Sequence, residues 1–368
     1  MESGQTPLYV FSNVILYLFM LVLAYKGVKS RDGDKFRYML SVFLMFLFCE
    51  YAFWGGDYYH YIDEFKEARL GARVNLEPFY YWVAQTFESY DEIRLVIWGG
   101  GLILLLLLFR IIDKKPENYV YTYISTYFIW FTYARASLAM CVILLGLVLI
   151  AHENKKMLFL QIAGIALLIA SLSLHKSATY GVAMAAMAFV TYRFGKWVYL
   201  LLIMGMVAVL YLYGDSVDIA SIAQEHEERM QSTVSVARMY LEEEERFLGM
   251  GELVEKVLFH LSIYMVAILY IMSVFENKAK TFSKYTRIFG CYAFWTALTS
   301  SVFLLDFDYN TLEMYERFSM YALIPASSFL SKIYESGYKR RFTTTTIIVA
   351  VLCSLYTLIY VYYCTLVK

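Results

Sequence analysis

The sequence predicts an all-α fold, a polytopic bundle of about twelve transmembrane helices forming a single integral membrane domain over residues 1–368. Three observations predict it. Hydrophobic residues make up 60 % of the chain and charged residues 17 %, with a mean hydropathy of +0.52; a soluble domain carries about a quarter charged residues. The apolar residues come in long unbroken runs, such as 96–109 and 158–174, and a bilayer core of roughly 30 Å takes about 20 helical residues. Only four prolines and 19 glycines occur, which excludes a disordered or collagen-like chain.

The spans fall at about 8–25, 37–54, 93–112, 119–133, 136–151, 157–174, 177–192, 197–213, 254–275, 287–305, 314–330 and 343–364. The first run has no basic region before it and is followed by Lys26, Lys29 and Arg31. That is the reverse of a cleavable signal peptide, so the first helix is expected to be retained. Between spans two and three, residues 55–92 start polar and then carry an aromatic stretch around Phe79–Phe87. That stretch is too short to cross, so residues 77–90 are expected to lie at the interface or to re-enter. The run 119–150 is broken by Arg135, and the run 158–192 by His175 and Lys176. Each is flanked by basic residues at both ends, which requires two crossings and makes each a helical hairpin with a recessed tip. Residues 214–253, acidic and helical in pattern, are expected to form a helical outer loop.

The 32 basic and 32 acidic residues balance overall but divide by side. Alternate connections hold twenty Lys and Arg against seven acids, from Lys26 and Arg37 through Arg110, Lys155, Arg193 and Lys284 to Arg341. By the positive-inside rule that side is cytoplasmic and both termini are outside. The five cysteines, Cys49, Cys141, Cys291, Cys353 and Cys364, lie in or beside apolar runs without CxxC spacing. They read as small core residues, so neither metal, disulfide nor cofactor is expected. No P-loop, HExxH or GxSxG motif is present.

The chemically suggestive residues fall on the outer side. Asp57 sits beside a glycine pair and Tyr58, where a carboxylate serves as a base, orients a sugar hydroxyl, or is simply a solvated acid at a helix end. Glu77 before Pro78 suits the same chemistry or a helix N-terminus. Arg135 at a hairpin tip binds phosphate bidentately or forms a buried pair with an outer acid. His175 transfers protons near neutral pH, and the adjacent Lys176 holds phosphate as a point charge. An interfacial, hydrogen-bonded histidine is the plainer alternative. Arg317 follows Glu316 and precedes Tyr321; its plainer reading is an adjacent ion pair. Arg238 belongs to the charged outer segment, whose simplest reading is a solvated face. Tyr58 and Tyr80 are candidates for stacking on sugars or members of an aromatic belt.

Taken in order, Gly56-Asp57-Tyr58, Glu77-Pro78, Arg135-Ala-Ser-Leu-Ala, His175-Lys176-Ser177 and Arg317 with Tyr321 resemble the EpsG family of bacterial Wzy-type repeat-unit polymerases. The resemblance covers essentially the whole chain. It implies a glycosyltransferase of the inner membrane, with a glycosyltransferase-C-like architecture as the candidate fold and the active face periplasmic or extracellular. Its donor and acceptor would be polyprenyl-pyrophosphate-linked oligosaccharides, without metal or other cofactor. The bilayer, a chain-length regulator and a flippase are the further expected partners, and nucleic acid is not. On this reading Arg135, Arg317 and Lys176 bind pyrophosphate. Asp57 or His175 is the base, Glu77 orients the acceptor, and Tyr58, Tyr80 and Arg238 contact sugar. An O-antigen ligase-like or acyl-transferring enzyme and a non-enzymatic polysaccharide flippase or exporter are the alternatives.

Overall fold

The structure, a computed structural model, describes residues 7–29, 34–51, 57–71, 76–152, 158–213, 250–304, 309–336 and 340–366. Among them every regular element is helical. The order begins α1 (Pro7–Lys29), α2 (Lys35–Tyr51), α3 (Asp57–Arg69), α4 (Pro78–Thr86), α5 (Tyr90–Ile112) and α6 (Glu117–Thr126). It continues α7 (Ala134–Ile150), α8 (Leu158–Ser171), α9 (Ala178–Thr191), α10 (Lys196–Tyr213) and α11 (Met250–Phe275). The last are α12 (Lys284–Ser300), α13 (Tyr309–Ser319), α14 (Leu323–Glu335) and α15 (Arg340–Leu366). Among the described residues, four helices, α1, α5, α11 and α15, are each long and apolar enough to cross a membrane, and α7 to α10 are apolar but shorter. Residues 214–249, the bulk of the expected outer loop, lie outside the described residues.

The centre of the bundle is made by α6, α7, α12 and α14, whose side chains are almost all buried. The helices around them turn large apolar side chains outward: Ile103 is 67 % exposed, Phe159 77 %, Ile169 65 % and Leu201 66 %. In water such a surface would be an aggregation liability, and its extent over several helices marks it as lipid-facing. The chain is a membrane-embedded protein. The tightest crossing is that of α7 on α8. A Cβ on Gly164 would lie 2.6 Å from the Gly146 carbonyl oxygen, and one on Gly146 would lie 2.7 Å from the Gly164 oxygen. Small residues let two backbones touch where the hydrophobic effect cannot drive association. Gly164→Val is therefore expected to cost about 1–3 kcal/mol or more, read as a lower thermal midpoint in detergent; an unchanged midpoint would mean that the two helices do not meet there.

Three features differ from the expected spans. The polar start of the 55–92 connection forms α3. The third span begins earlier, at Tyr90, because Ser89 and Glu92 make a reciprocal capping box, and it carries a π turn at Leu95–Gly99. The fourth and eleventh spans are not continuous α-helices. A 3-10 turn, Phe128–Thr132, follows α6, and another, Met320–Ala322, separates α13 from α14. The first break lies directly before Arg135 and the second contains Tyr321.

Residues assigned to one side by charge also meet in space. At one rim Lys332 pairs with both Asp113 and Glu335 and lies 5.3 Å from the centre of the Tyr119 ring. Nearby connections close on each other too, with Lys284 donating to the Ala151 carbonyl and Arg287 stacking 5.4 Å from the centre of the Tyr192 ring.

Candidate functional site

At the opposite rim four elements converge on Arg135. Glu77 is the N-cap of α4, extended at φ −65° and ψ 151°, with Pro78 in the first helical position. Proline suits that position because its missing N–H would be unpaired there anyway. The Glu77 side chain does not cap its own helix. One oxygen accepts from Arg135 Nη1 at 3.0 Å, and the other accepts from the backbone N–H of Lys176 at 3.3 Å. A single carboxylate thus ties α4, the first turn of α7 and the turn between α8 and α9. The Phe79 amide, donating to Ser173 O at 3.4 Å, strengthens the same junction.

Glu64 of α3 is the second acid on Arg135, at 3.7 Å. Tyr80 lies beneath, fully buried, with its ring centre 5.8 Å from the guanidinium and its hydroxyl donating to Arg135 O at 3.4 Å. A ring in that place supports the cation through its π face; here Tyr80 packs against Arg135, Phe65 and Phe79 rather than facing an open cavity. The aromatic side chain that α4 does expose is Trp82, at 58 %. The Arg135 side chain is 15 % exposed and that of Glu77 7 %, so the pair is held in a medium where charges act strongly on one another.

Lys176 shares the field of this cluster. Burial pulls its ammonium below the ordinary lysine value; Glu77 opposes the shift, Arg135 reinforces it and Glu64 opposes it more weakly. The sign has a consequence for binding. Lys176 gives up its positive charge at a lower pH than an exposed lysine, so an anion held through it weakens correspondingly earlier as pH rises. Lys176→Arg, permanently charged, is expected to move that loss to higher pH. Binding of inorganic pyrophosphate measured across the alkaline range checks this, and identical profiles for the two proteins would rule Lys176 out as a ligand.

His175 is linked through Ser177 to the second of the two 3-10 breaks, Met320–Ala322. Its Nδ1 lies 2.6 Å from Ser177 Oγ and accepts the Ser177 amide at 3.2 Å, while Ser177 Oγ is 3.1 Å from the Tyr321 hydroxyl. Arg317 is half-buried near the end of α13, on the segment that leads into the 3-10 turn carrying Tyr321. A small, largely apolar crevice opens next to the first turn of α7, lined by Trp130, Ala136, Ser137, Met140, Met320 and Tyr321. Among the described residues no group of three His, Cys, Asp or Glu side chains is placed to hold a metal ion.

The structure therefore brings Glu77, Arg135, Lys176, His175 and Tyr80 to one place. Asp57 and Tyr58 open α3, but their side chains, and the whole of Arg238, lie outside the described residues. Sequence reasoning missed Glu64, an acid beside Phe65 in a segment read only as polar. It also missed Arg94, which is 2 % exposed, donates to Cys49 O at 2.9 Å and lies 4.7 Å from the Trp98 ring centre at the π turn.

The chain is thus a helical membrane protein with charged side chains gathered at one rim. The model describing the EpsG family matches residues 35–367. The chain belongs to the EpsG family, whose members are Wzy-type polymerases. No curated protein and no solved structure is significantly similar to it.

Proposed function

We propose that the protein is a glycosyltransferase that polymerises polyprenyl-pyrophosphate-linked oligosaccharide repeat units at the outer leaflet of the bacterial inner membrane. The observation that supports this most is the part-buried Arg135, paired with Glu64 and Glu77 where the Glu77 carboxylate also takes the Lys176 backbone N–H, in a chain of the EpsG family. Charge at such depth is costly and is retained where it serves a ligand. The bundle has about twelve spans with a glycosyltransferase-C-like plan, the short apolar helices crossing together with the four long ones.

The reaction joins an acceptor hydroxyl oxygen to the anomeric carbon of the lipid-linked chain. The bond from that carbon to the pyrophosphate oxygen breaks, and the oxygen leaves with the electron pair. Arg135, Lys176 and Arg317 bind the pyrophosphate. Asp57 or His175 takes the hydroxyl proton, Glu77 orients the acceptor through the residues it ties together, and Tyr58 and Arg238 contact the glycan. Because the leaving group is already activated, the step needs neither a nucleotide nor a metal.

The test is reconstitution. Purified protein in lipid, supplied only with lipid-linked repeat units, is expected to produce a ladder of glycans. Transfer of a single glycan to a different acceptor would identify a ligase, and movement of the lipid across the bilayer without bond formation a flippase.

A further inference from the structure

The hydrogen bonds around His175 define which of its nitrogens carries the proton. A backbone amide only donates, so Nδ1, which receives the Ser177 N–H at 3.2 Å, bears a lone pair there. With that nitrogen accepting, the Ser177 hydroxyl 2.6 Å away turns its proton to the same lone pair, which the two donors share. Its single proton being spent, Ser177 Oγ receives the Tyr321 hydroxyl proton across 3.1 Å. The direction of the chain follows: Tyr321 to Ser177 to His175.

Tyr321 is itself fixed. It is 1 % exposed, stacks edge-on to Tyr180 at 6.1 Å, and fills the space over Gly181, where an added Cβ would lie 2.6 Å from its ring. Only glycine leaves room for the ring at that point.

We propose that Ser177 and Tyr321 are positioning residues that hold His175 as the tautomer protonated on Nε2, so that the imidazole donates a hydrogen bond to an oxygen of the departing pyrophosphate. This rests on the polymerase reading for the identity of the ligand, and it takes His175 out of the role of base. As the bond from the anomeric carbon breaks, negative charge grows on the pyrophosphate oxygen, and a neutral N–H beside Lys176 stabilises it without giving up its proton. The acceptor hydroxyl's proton passes to a carboxylate instead.

Two measurements test it. In protein labelled with ¹⁵N-histidine and assigned with a His175→Gln variant, the His175 signals should show an unprotonated Nδ1 and a protonated Nε2. Ser177→Ala should let the Nδ1-protonated form appear, and Ser177→Thr, which keeps the hydroxyl, should restore the single form. A wild-type spectrum with protonated Nδ1 overturns the proposal whatever the protein catalyses. In the ladder assay Ser177→Ala is expected to lower kcat about tenfold or more with little change in KM, and Ser177→Thr to recover most of it. An Ala variant with an altered spectrum but a normal kcat overturns the donor role. If the wild type makes no ladder at all, the polymerase reading fails, and with it the ligand, while the spectrum still decides the tautomer.

Discussion

Replacing Arg135 with lysine is expected to leave a folded membrane protein that makes glycan about 10- to 100-fold more slowly. Lysine keeps the charge between Glu64 and Glu77 but loses the planar fork that grips two oxygens at once. One charge-assisted hydrogen bond lost is worth about 1.5–3 kcal/mol, which sets that range. Alanine is the harsher change, because it leaves Glu77 and Glu64, with side chains 7 % and 12 % exposed, facing each other without the cation. Part of its effect would be a loss of folded protein rather than of chemistry. The informative comparison is therefore the lysine variant, scored for ladder length against the amount of folded protein. Normal ladders from Arg135→Lys would remove the guanidinium from pyrophosphate binding.

Glu77→Ala is expected to have the largest effect on stability. Removing one partner of a buried pair leaves the other charge uncompensated, at a cost of about 3–5 kcal/mol. Here the same carboxylate also accepts the Lys176 amide, so α4 and the turn before α9 lose their common anchor. Glu77→Gln, which retains an acceptor for that amide, should lose less. Thermal midpoints in detergent rank the three proteins as wild type, then Gln, then Ala. If Ala equals wild type, Glu64 alone satisfies Arg135 and the junction is held by packing.

Much of the architecture was legible because hydropathy reports directly on contact with lipid. The long runs mark α1, α5, α11 and α15, and the interruptions at Arg135 and at His175–Lys176 mark real breaks between α6 and α7 and between α8 and α9. Hydropathy is silent on the backbone hydrogen-bond ladder. The apolar stretches through Phe128–Thr132 and Met320–Ala322 therefore read as unbroken helix although the chain tightens to 3-10 turns there. Helix α3 was hidden for the opposite reason, since its residues are polar and give no run to find. Of the site, the residue types and their shared rim were readable from chemistry and charge placement. Which acid would hold Arg135 was not, because Glu77 and Arg135 lie 58 positions apart and nothing local links them. Glu64 escaped for the same reason, and Tyr80 looked like a sugar platform because an aromatic side chain gives no sign in the sequence of which way it packs.

The junction at Glu77 also gives assembly an order. Every group in the charged knot, from Glu64 to Lys176, lies in the first half of the chain. The knot can close while later helices are still being translated, neutralising charges that would otherwise meet lipid in the nascent protein. The bond that orients His175 has no such early start, because its far end, Tyr321, is 144 positions beyond Ser177. A growing chain thus secures its charges first, and the Ser177–Tyr321 contact forms only once the last third of the chain has been made.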